Sequence, residues 1–356
     1  MSSQLHESLN KKLPDNMARR PLLDQLDFES VVVFRALQLG DMLCAVPALR
    51  SLRAALPRAH IALVGLPWAQ QLAERFNGYI DEFFAFPGHA ALSEQPVQQN
   101  LTTDFYQAIQ SRQFSLALQM HGSGEISNGI VKNFGAEWAA GYAAAESPVC
   151  DEFFYFPYPD AGPEPLRLLG LTTRLGAPPM GDHLEFPLHA GDWQELERNG
   201  LGAGLRAGAY ICIHPGARFR DKCWAPQLFA HVADQLALET GLAVVLTGSA
   251  KERDLTCAVA GHMKTPAVNA AGPISIGAMA ALMSNARLLV CNDTGVSHIA
   301  AGLRLMSVVI FSKADISRWA PLDRQLHRCV QDARGEKAHE VLAQARWLLA
   351  QAHSPQ

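Results

Sequence analysis

The feature that most constrains the fold is an alternation of short, fully apolar runs with longer segments of helical periodicity. In the first half of the chain the apolar runs, interpreted as strands, cover residues 31–34, 61–64, 83–86 and 116–120. The periodic segments, interpreted as helices, cover residues 42–56, 68–76 and 101–112. Strands without polar alternation are typical of a parallel sheet that helices cover on both faces. The sequence therefore predicts a doubly wound α/β domain.

The alternation stops between residues 148 and 187, where prolines are too dense for regular elements, and then resumes. We interpret the interrupted segment as a linker or an irregular crossover. Further strands are predicted at residues 210–213, 243–246, 288–291 and 308–311. Further helices are predicted at residues 226–239, 251–263, 275–285 and 296–302. A second sheet of the same kind is therefore expected.

A length of 356 residues is enough for two domains with their own cores. The predicted organisation is a polar tail at 1–28, a Rossmann-like domain at 29–190, a second Rossmann-like domain at 191–335 and a final helix within 336–356. The stripe of that helix has no identifiable partner in the sequence, and packing back on the N-terminal domain is one option. Two doubly wound parallel-sheet domains are expected to face a central cleft, where the carboxyl ends of the strands bind ligands.

Composition excludes several classes of protein. The net charge is -4 with mixed signs, so no basic stripe suits a nucleic acid. The seven cysteines are scattered singly, which indicates neither a disulfide framework nor a zinc site. The first 27 residues lack the apolar run of a secretion signal, and no window is long enough to span a bilayer. We expect a cytoplasmic protein with at most peripheral contact with the inner membrane.

The loop after the first predicted strand contains Gly40 and Asp41, at the edge of the expected cleft. Asp41 has two interpretations. It caps a helix, since its oxygen can accept from amides of the first turn, or it is a base that takes a proton from a bound hydroxyl.

The loop after residues 210–213 is basic. Gly216 permits close backbone approach, and Arg218, Arg220 and Lys222 add three cations. This composition suits a diphosphate, although a solvated basic turn explains it equally well.

The turn after residues 243–246 contains Gly248 and Glu252. An acid in this place accepts hydrogen bonds from ribose hydroxyls in Rossmann folds. A glutamate in a first helical turn also occurs simply because it complements the helix dipole. The residues alone favour the dipole interpretation.

The most specific loop is the one in which an apolar strand runs into Asp293, Thr294 and Gly295 and then a helix. Free amides at that helix N-terminus are expected to bind a phosphate group. His298 lies one turn further on, where it either donates to the phosphates or is a buried helix histidine. Asp293 either contacts the ligand or orients the amides.

Other patterns are weak or missing. His121 and Ser123 follow the strand at 116–120 and, together with Gly40, are candidates for the acceptor side of the cleft, although a glycine-rich turn explains His121 and Ser123 too. The chain has no GxxxxGK[ST] loop, no DxD pair, no HExxH and no GxSxG motif. No metal site and no cofactor are therefore predicted.

Four motifs, in order, resemble glycosyltransferase family 9, the bacterial heptosyltransferases of lipopolysaccharide core assembly. The resemblance covers residues 30–322, and its segments are 34–43 with Pro47, Leu49, Leu52 and Pro57, His214-Pro215-Gly216 with Lys222 and Trp224, Gly248 with Glu252, and Asn292-Asp293-Thr294-Gly295 with His298 and Ala301.

The resemblance implies a GT-B fold with an acceptor domain followed by a nucleotide-sugar donor domain. It also implies inverting, metal-independent transfer of heptose from ADP-heptose to a hydroxyl of a lipopolysaccharide-core or other surface-glycan acceptor. By position, Asp41 becomes the general base, while Lys222 and the amides of Thr294 and Gly295 stabilise the leaving diphosphate. Glu252 holds the ribose. His298 lies by the phosphates.

This chain departs from the family pattern after the last strand, where Phe311 is followed by Ser312-Lys313-Ala314-Asp315. Only Trp319 and Pro321 of the next motif are kept, so the donor end is expected to differ. Three alternatives stay open: a transferase that uses another nucleotide sugar, a GT-B-like epimerase, and a catalytically silent sugar-nucleotide-binding protein.

Overall fold

A computed structural model of the chain describes residues 21–144 and 154–351. The described residues form two compact units. The first comprises residues 21–37, 48–144, 154–159 and 168–180, and the second comprises residues 38–47, 160–167 and 181–351. Each unit contains one six-stranded sheet whose neighbouring strands are parallel. The predicted α/β class with two Rossmann-like sheets is confirmed.

The first sheet has the strand order β3-β2-β1-β4-β5-β6. Its strands are β1 (Ser30–Phe34), β2 (His60–Gly65), β3 (Glu82–Ala85), β4 (Leu116–Gln119), β5 (Trp138–Ala143) and β6 (Tyr155–Pro157). The helices in this part of the chain are α1 (Leu39–Cys44), α2 (Val46–Ala55), α3 (Gln70–Arg75), α4 (Gln99–Ser111), α5 (Ser127–Lys132) and α6 (Glu164–Arg174). In register, Val31 pairs with Ile61 on one side and with Leu116 on the other. The central strand β1 is buried over Val31–Phe34, as its continuous apolar run predicts.

The second sheet has the order β12-β11-β10-β7-β8-β9. Its strands are β7 (Tyr210–His214), β8 (Ala243–Leu246), β9 (Ala267–Asn269), β10 (Leu289–Asn292), β11 (Ser307–Phe311) and β12 (His327–Gln331). Its helices are α7 (Ala190–Asn199), α8 (Pro226–Thr240), α9 (Arg253–His262), α10 (Ile276–Ser284), α11 (Gly295–Gly302), α12 (Ile316–Trp319) and α13 (Ala338–Gln351). The sequence order reverses between β7 and β10, so the loops that follow these two strands start at adjacent positions of the sheet.

The final helix α13 packs within the second unit. Its apolar stripe joins the core that contains Ile211, Val290 and Ile310, and its members are Val341, Leu342, Ala345, Leu348 and Leu349. The apolar stripe of α13 thus packs on the second unit's own sheet.

One predicted helix is divided. The segment 42–56 forms α1 and α2, which meet at Ala45, and α1 begins earlier than predicted, at Leu39. Pro47 lies in the first turn of α2, where its missing N–H leaves no helical hydrogen bond unmade. The boundary between the units falls just after this break, within α2, because contacts group residues 38–47 with the second unit. The predicted N-terminal domain, 29–190, had included these residues.

The prediction that residues 148–187 lack regular structure is wrong for the part that the structure describes. Strand β6 and helix α6 both lie there. Pro165 is the second residue of α6, a position where proline is well tolerated, and Pro157 ends a strand at the sheet edge. Proline density marked the ends of elements and not their absence.

The start of the chain also differs from the predicted polar tail at 1–28. Residues 1–20 lie outside the described residues, but Leu22 and Phe28 are buried and Leu22–Asp24 form a turn of 3₁₀-helix. Among the helices of the described residues, none is long and apolar enough to cross a membrane.

Candidate functional site

Two adjacent cavities in the second unit bring together most of the predicted site residues. The first, which we call the Asp41 cavity, has a volume of about 220 Å³. It is lined by Gln38, Gly40, Asp41, Arg218, Phe219, Lys222, Asp293, Thr294, Gly295, His298 and Trp319. The second, the Glu252 cavity, has a volume of about 240 Å³. It is lined by Gln38, Leu39, Gly40, His214, Arg218, Gly248, Ser249, Glu252, Ile274, Ser275, Ile276, Met279, Thr294, Gly295 and Val296.

The two cavities share part of their lining, so they lie side by side. The shared residues are Gln38, Gly40, Arg218, Thr294 and Gly295. These residues come from the loop before α1, the loop after β7 and the N-terminus of α11. A ligand with two chemically different ends therefore has room on both sides of the α11 N-terminus.

Close packing of α1 on α11 places Asp41 in this site. A side chain at Gly40 would lie 2.8 Å from Cδ2 of His298, and one at Gly295 would lie 2.9 Å from the side chain of Leu39. Real Cβ contacts are almost never this short, so both positions are restricted to glycine unless a neighbour moves. The two glycines let the first turns of the two helices touch.

The electrostatic centre of the Asp41 cavity is a pair of carboxylates beside a lysine. The pKa of Asp293 is raised to about 6, mainly by burial. The charge of Asp41 also raises this pKa, and the charge of Lys222 opposes the rise. Asp41 and Lys222 thus lie close enough to Asp293 to interact with it. Lys222 is half-buried, and it lines this cavity together with a second cation, Arg218.

The N-terminus of α11 forms the wall between the cavities. Thr294 is its N-cap, with an extended backbone at φ −158° and ψ 169°, and no side chain of the described residues caps the helix. The hydroxyl of Ser297 instead donates to the carbonyl of Thr294 at 2.7 Å. The amides of this first turn and the helix dipole are therefore directed at the site, as an anion requires.

His298 is buried on α11 and lines the Asp41 cavity. Burial lowers its pKa to about 4, against an opposing effect of Glu164, so the ring is neutral near pH 7. Its Nδ1 lies 3.8 Å from the Sγ of Cys44 on α1. His298 also lines a separate cavity of about 520 Å³, on the side of residues 182–185 and 320–327. It offers the site a neutral hydrogen-bonding ring and not a positive charge.

Glu252 has a structural contact in addition to any ligand contact. Its Oε2 accepts from the N–H of Ser249 at 2.8 Å and from the hydroxyl of Ser249 at 2.7 Å, which is a capping box. Its Oε1 lies 3.9 Å from Nε2 of His214, whose pKa burial lowers and Glu252 raises. One carboxylate oxygen is thus engaged by the turn, and the other faces His214 and Gly216.

The glycines of this region make room for Glu252. A Cβ at Gly216 would lie 1.9 Å from the Oε1 of Glu252, and a Cβ at Gly248 would lie 3.3 Å from the Cβ of Glu252. Gly216 is therefore needed for the carboxylate to reach its place, whereas Gly248 is packed closely but without a clash.

The three predicted cations of the loop after β7 have different surroundings. Arg218 is exposed, lines both cavities and lies over the ring of Phe219 at 5.1 Å. Arg220 makes a 2.8 Å ion pair with Asp254. Lys222 ends a 3₁₀ turn at Arg220–Lys222 and lines the Asp41 cavity. Arg218 and Lys222 are thus the cations of this loop that line the site.

Of the three predicted acceptor-side residues, Gly40 belongs to the second unit and lines both cavities, whereas His121 and Ser123 lie in the first unit and line neither. His121 is buried, its Nδ1 accepts from the N–H of Ala36 at 3.2 Å, and its ring stacks on Phe34 at 5.2 Å. Burial lowers its pKa to about 4, with a further contribution from Arg35. Ser123 lies between two glycines with positive φ, so the turn interpretation describes the local backbone.

Sequence reasoning gave no role to two residues at this site. Asn292 is fully buried at the end of β10 and hydrogen-bonds to the loop after β7. Ser312, after β11, donates to the carbonyl of Lys222 at 3.0 Å. The sequence signal that could have identified Asn292 is an asparagine at the end of an apolar strand, because a buried amide needs hydrogen-bond partners on neighbouring segments. Among the described residues, no group of three or more His, Cys, Asp or Glu side chains is arranged to hold a metal ion.

The two six-stranded parallel sheets, and the fold shared with solved heptosyltransferases, agree with the expected GT-B type of α/β fold. Residues 103–346 match the family described as glycosyltransferase family 9 (heptosyltransferase). The chain belongs to glycosyltransferase family 9.

Individual relatives agree with this assignment. The chain is 31% identical over 156 residues to lipopolysaccharide heptosyltransferase 3 of Escherichia coli, a match that covers 43% of this chain and 45% of that protein. It thus spans about half the length of the curated relatives that it matches.

Two solved structures share the fold over nearly the whole chain. The family 9 glycosyl transferase from Veillonella parvula has a TM-score of 0.77 and 19% identity, over 92% of this chain and 99% of that chain. E. coli ADP-heptose lipopolysaccharide heptosyltransferase II has a TM-score of 0.72 and 20% identity, over 91% and 100% of the respective chains. At these identities the structures support the fold alone.

Proposed function

We propose that the protein is an inverting glycosyltransferase that moves a heptose from ADP-heptose to a hydroxyl of a surface-glycan acceptor. The observation that carries the proposal is the Asp41 cavity, where a carboxylate, Lys222 and the N-terminus of α11 meet. A carboxylate is suited to remove a proton, and the lysine and amides are suited to receive a diphosphate.

The proposed reaction is a single in-line displacement. The acceptor hydroxyl gives its proton to a carboxylate oxygen of Asp41 while its oxygen forms a bond to the anomeric carbon. The bond from that carbon to the diphosphate oxygen breaks, and its electron pair leaves with ADP. Lys222 and the amides of Thr294 and Gly295 stabilise the charge that develops on the diphosphate. Attack from the face opposite the leaving group inverts the anomeric configuration.

The Glu252 cavity is the proposed place of the nucleoside. Glu252 lines this cavity and is packed against Gly216 and Gly248, and its Oε1 is the oxygen that is not used by Ser249. We propose that this oxygen accepts from a ribose hydroxyl. His298 is the proposed neutral neighbour of the phosphates. The choice of ADP as the nucleotide follows the name of the solved E. coli protein that shares this fold, ADP-heptose lipopolysaccharide heptosyltransferase II.

A panel of nucleotides tests the donor. Thermal unfolding is measured with ADP, UDP, GDP and CMP over a range of concentrations. We expect ADP to raise the melting temperature as its concentration passes the dissociation constant, with smaller shifts from the other nucleotides. A larger shift with UDP or GDP would mean that the donor carries that nucleotide instead of ADP, and the proposed reaction class would stay the same. No shift with any of the four would contradict the proposal.

Two further properties of the proposed reaction are inversion and independence of metal. Transfer from ADP-heptose is followed with and without EDTA, and the anomeric configuration of the product is read by NMR. We expect the same rate after chelation, because a lysine and helix amides would take the role of the metal. A rate that EDTA abolishes and a divalent ion restores would contradict metal independence, and retained configuration would contradict direct displacement.

The site of action is proposed to be the cytoplasmic face of the inner membrane, through peripheral contact.

A further inference from the structure

We infer that Asn292 and Ser312 are positioning residues that hold the turn bearing Lys222 in place for the donor diphosphate. The inference rests on the proposed function and adds residues to it that act through Lys222. It concerns the loop from Pro215 to Trp224, which we call the Lys222 loop.

Asn292 ties together both ends of the Lys222 loop. Its Oδ1 accepts from the N–H of Trp224 at 2.9 Å, and its Nδ2 donates to the carbonyls of Pro215 at 2.8 Å and Gly216 at 3.3 Å. The side chain is fully buried. An amide has the donor and the acceptor that this arrangement needs, whereas a carboxylate has no proton to give to the two carbonyls.

Ser312 and Lys313 contact the 3₁₀ turn of the same loop, Arg220–Lys222. The hydroxyl of Ser312 donates to the carbonyl of Lys222 at 3.0 Å, and the ammonium group of Lys313 forms an ion pair with Asp221. These two residues stand where the chain departs from the family pattern after β11. The departure thus supplies contacts to the turn that carries the lysine.

A third contact, between Trp224 and Asp332, fixes the C-terminal end of the loop. The indole N–H of Trp224 donates to Oδ2 of the buried Asp332 at 2.9 Å. Asp332 also accepts from the amides of Gly335, Glu336 and Lys337 at 2.9, 3.0 and 3.0 Å, just before α13. Trp224 is therefore anchored on both its backbone and its ring, and the loop between the anchors is short.

Positioning matters here because a lysine is a flexible side chain. Holding its backbone before the ligand arrives removes part of the ordering cost that binding would otherwise carry. A residue that acts in this way should lose its effect on affinity once the lysine ammonium is gone. A residue that only supports the fold should not.

The test is a double-mutant cycle, with ADP affinity measured by calorimetry. The single variants are Asn292→Asp, Ser312→Ala and Lys222→Ala, and each of the first two is combined with Lys222→Ala. Loss of one hydrogen bond predicts about three- to ten-fold weaker ADP binding for Ser312→Ala, and at least about ten-fold for Asn292→Asp, which loses two. In the Lys222→Ala background, we expect neither substitution to weaken binding further.

Ser284→Ala is the matched control, because the Ser284 hydroxyl also donates to one backbone carbonyl, that of Ala281 at 2.9 Å, but away from both cavities. It should bind ADP like the wild type. Losses that add in the Lys222→Ala background, or unchanged affinity in both single variants, would overturn the inference while ADP binding by the wild type upholds the nucleotide site. If Asn292→Asp fails to fold, Ser312→Ala alone decides the outcome in the same way. A wild type that does not bind ADP refutes the proposed function, and the inference with it.

Discussion

The two sheets share a topology, but the ends of their central strands are used differently. Directly after β1 and β4, at Arg35 and His121, the polar side chains are satisfied by the protein itself, whereas Asp41, further along the loop after β1, lines the Asp41 cavity. Arg35 is fully buried and donates to the carbonyl of Met120, and His121 accepts from Ala36. After β7, β8 and β10 in the second unit, the corresponding positions line two cavities.

Glycine content alone does not explain this difference. Gly124 follows β4 at a positive φ, but the space beside it is occupied by Asn128 and the carbonyl of Tyr142, within 2.3 Å of where a Cβ would lie. Gly216 lines neither cavity, but it borders Glu252, whose carboxylate occupies the space that the missing Cβ leaves. A strand end becomes a ligand site where helix amides and charged side chains still face open space. The predictions below test that contrast.

The largest expected effect concerns Asp41. Asp41→Asn keeps the shape of the side chain but removes the base, so we expect the transfer rate to fall by a factor of about 10²–10⁴. ADP affinity should stay within about two-fold, because the diphosphate is held by other groups. Rates are measured with ADP-heptose and binding by calorimetry.

Asp104→Asn is the matched control for Asp41→Asn, since Asp104 is an exposed aspartate on α4. It should leave transfer unchanged. Full activity of Asp41→Asn would remove Asp41 as the base. If neither the wild type nor any variant transfers the sugar, although the wild type binds ADP, the result would favour a catalytically silent binding protein.

The next effect concerns the glycine beside Glu252. Gly216→Ala would place a methyl group 1.9 Å from Oε1 of Glu252, so the carboxylate must move, and this movement disturbs the contacts of its Oε2 with Ser249. We expect ADP to bind about ten-fold more weakly, as loss of one or two hydrogen bonds predicts. Gly261→Ala in α9 enters open space and should not change affinity. Equal affinity in both variants would remove Glu252 from the nucleotide site.

A pH-dependent effect concerns Asp293. Its pKa is about 6 in the folded protein, above the usual 3.8, so the folded state keeps this proton to higher pH than the unfolded state does. The stability that the protonated Asp293 contributes to the folded state is therefore fully present below pH 3.8 and is lost as the pH rises through 6. Asp293→Asn should raise the free energy of unfolding at pH 7.5, relative to wild type, by about 1–3 kcal/mol more than at pH 4. Urea titrations at both values measure this difference, and an equal effect at both pH values would refute the raised pKa.

The smallest expected effect on nucleotide binding comes from the first unit. His121→Gln should lower the melting temperature, because it disturbs the stacking on Phe34 and the hydrogen bond from Ala36. Its ADP affinity should equal that of the wild type. A loss of ADP affinity without a loss of stability would break the contrast between the two sheets.

Much of the fold could be predicted because buried parallel strands are continuous apolar runs. The predicted strand at 243–246 coincides with β8, and the one at 31–34 differs from β1 by one residue. The elements that were not predicted carry weaker signals. Strand β5 is rich in alanine, and the edge strand β12 has the polar sequence His-Arg-Cys-Val-Gln. Edge strands bury less surface, so their sequences are less constrained.

The site could be predicted as a set of loops but not as a set of contacts. The order of strands places the loops after β7 and β10 side by side, and the motif residues that line the cavities follow from that. The grouping of Asp41 with the second unit depends on the approach of Gly40 to His298, which no local pattern encodes. The positioning contacts of Asn292 and Ser312 likewise join segments that are far apart in the chain.

Hydrogen exchange with and without ADP tests the central claim, that the strand ends of the second unit hold the nucleotide. We predict that ADP slows exchange of the amides at 294–297, at the α11 N-terminus, and of those at 216–222, while the amides at 121–127 exchange at an unchanged rate. Protection confined to 121–127, with none at 294–297, would contradict the account.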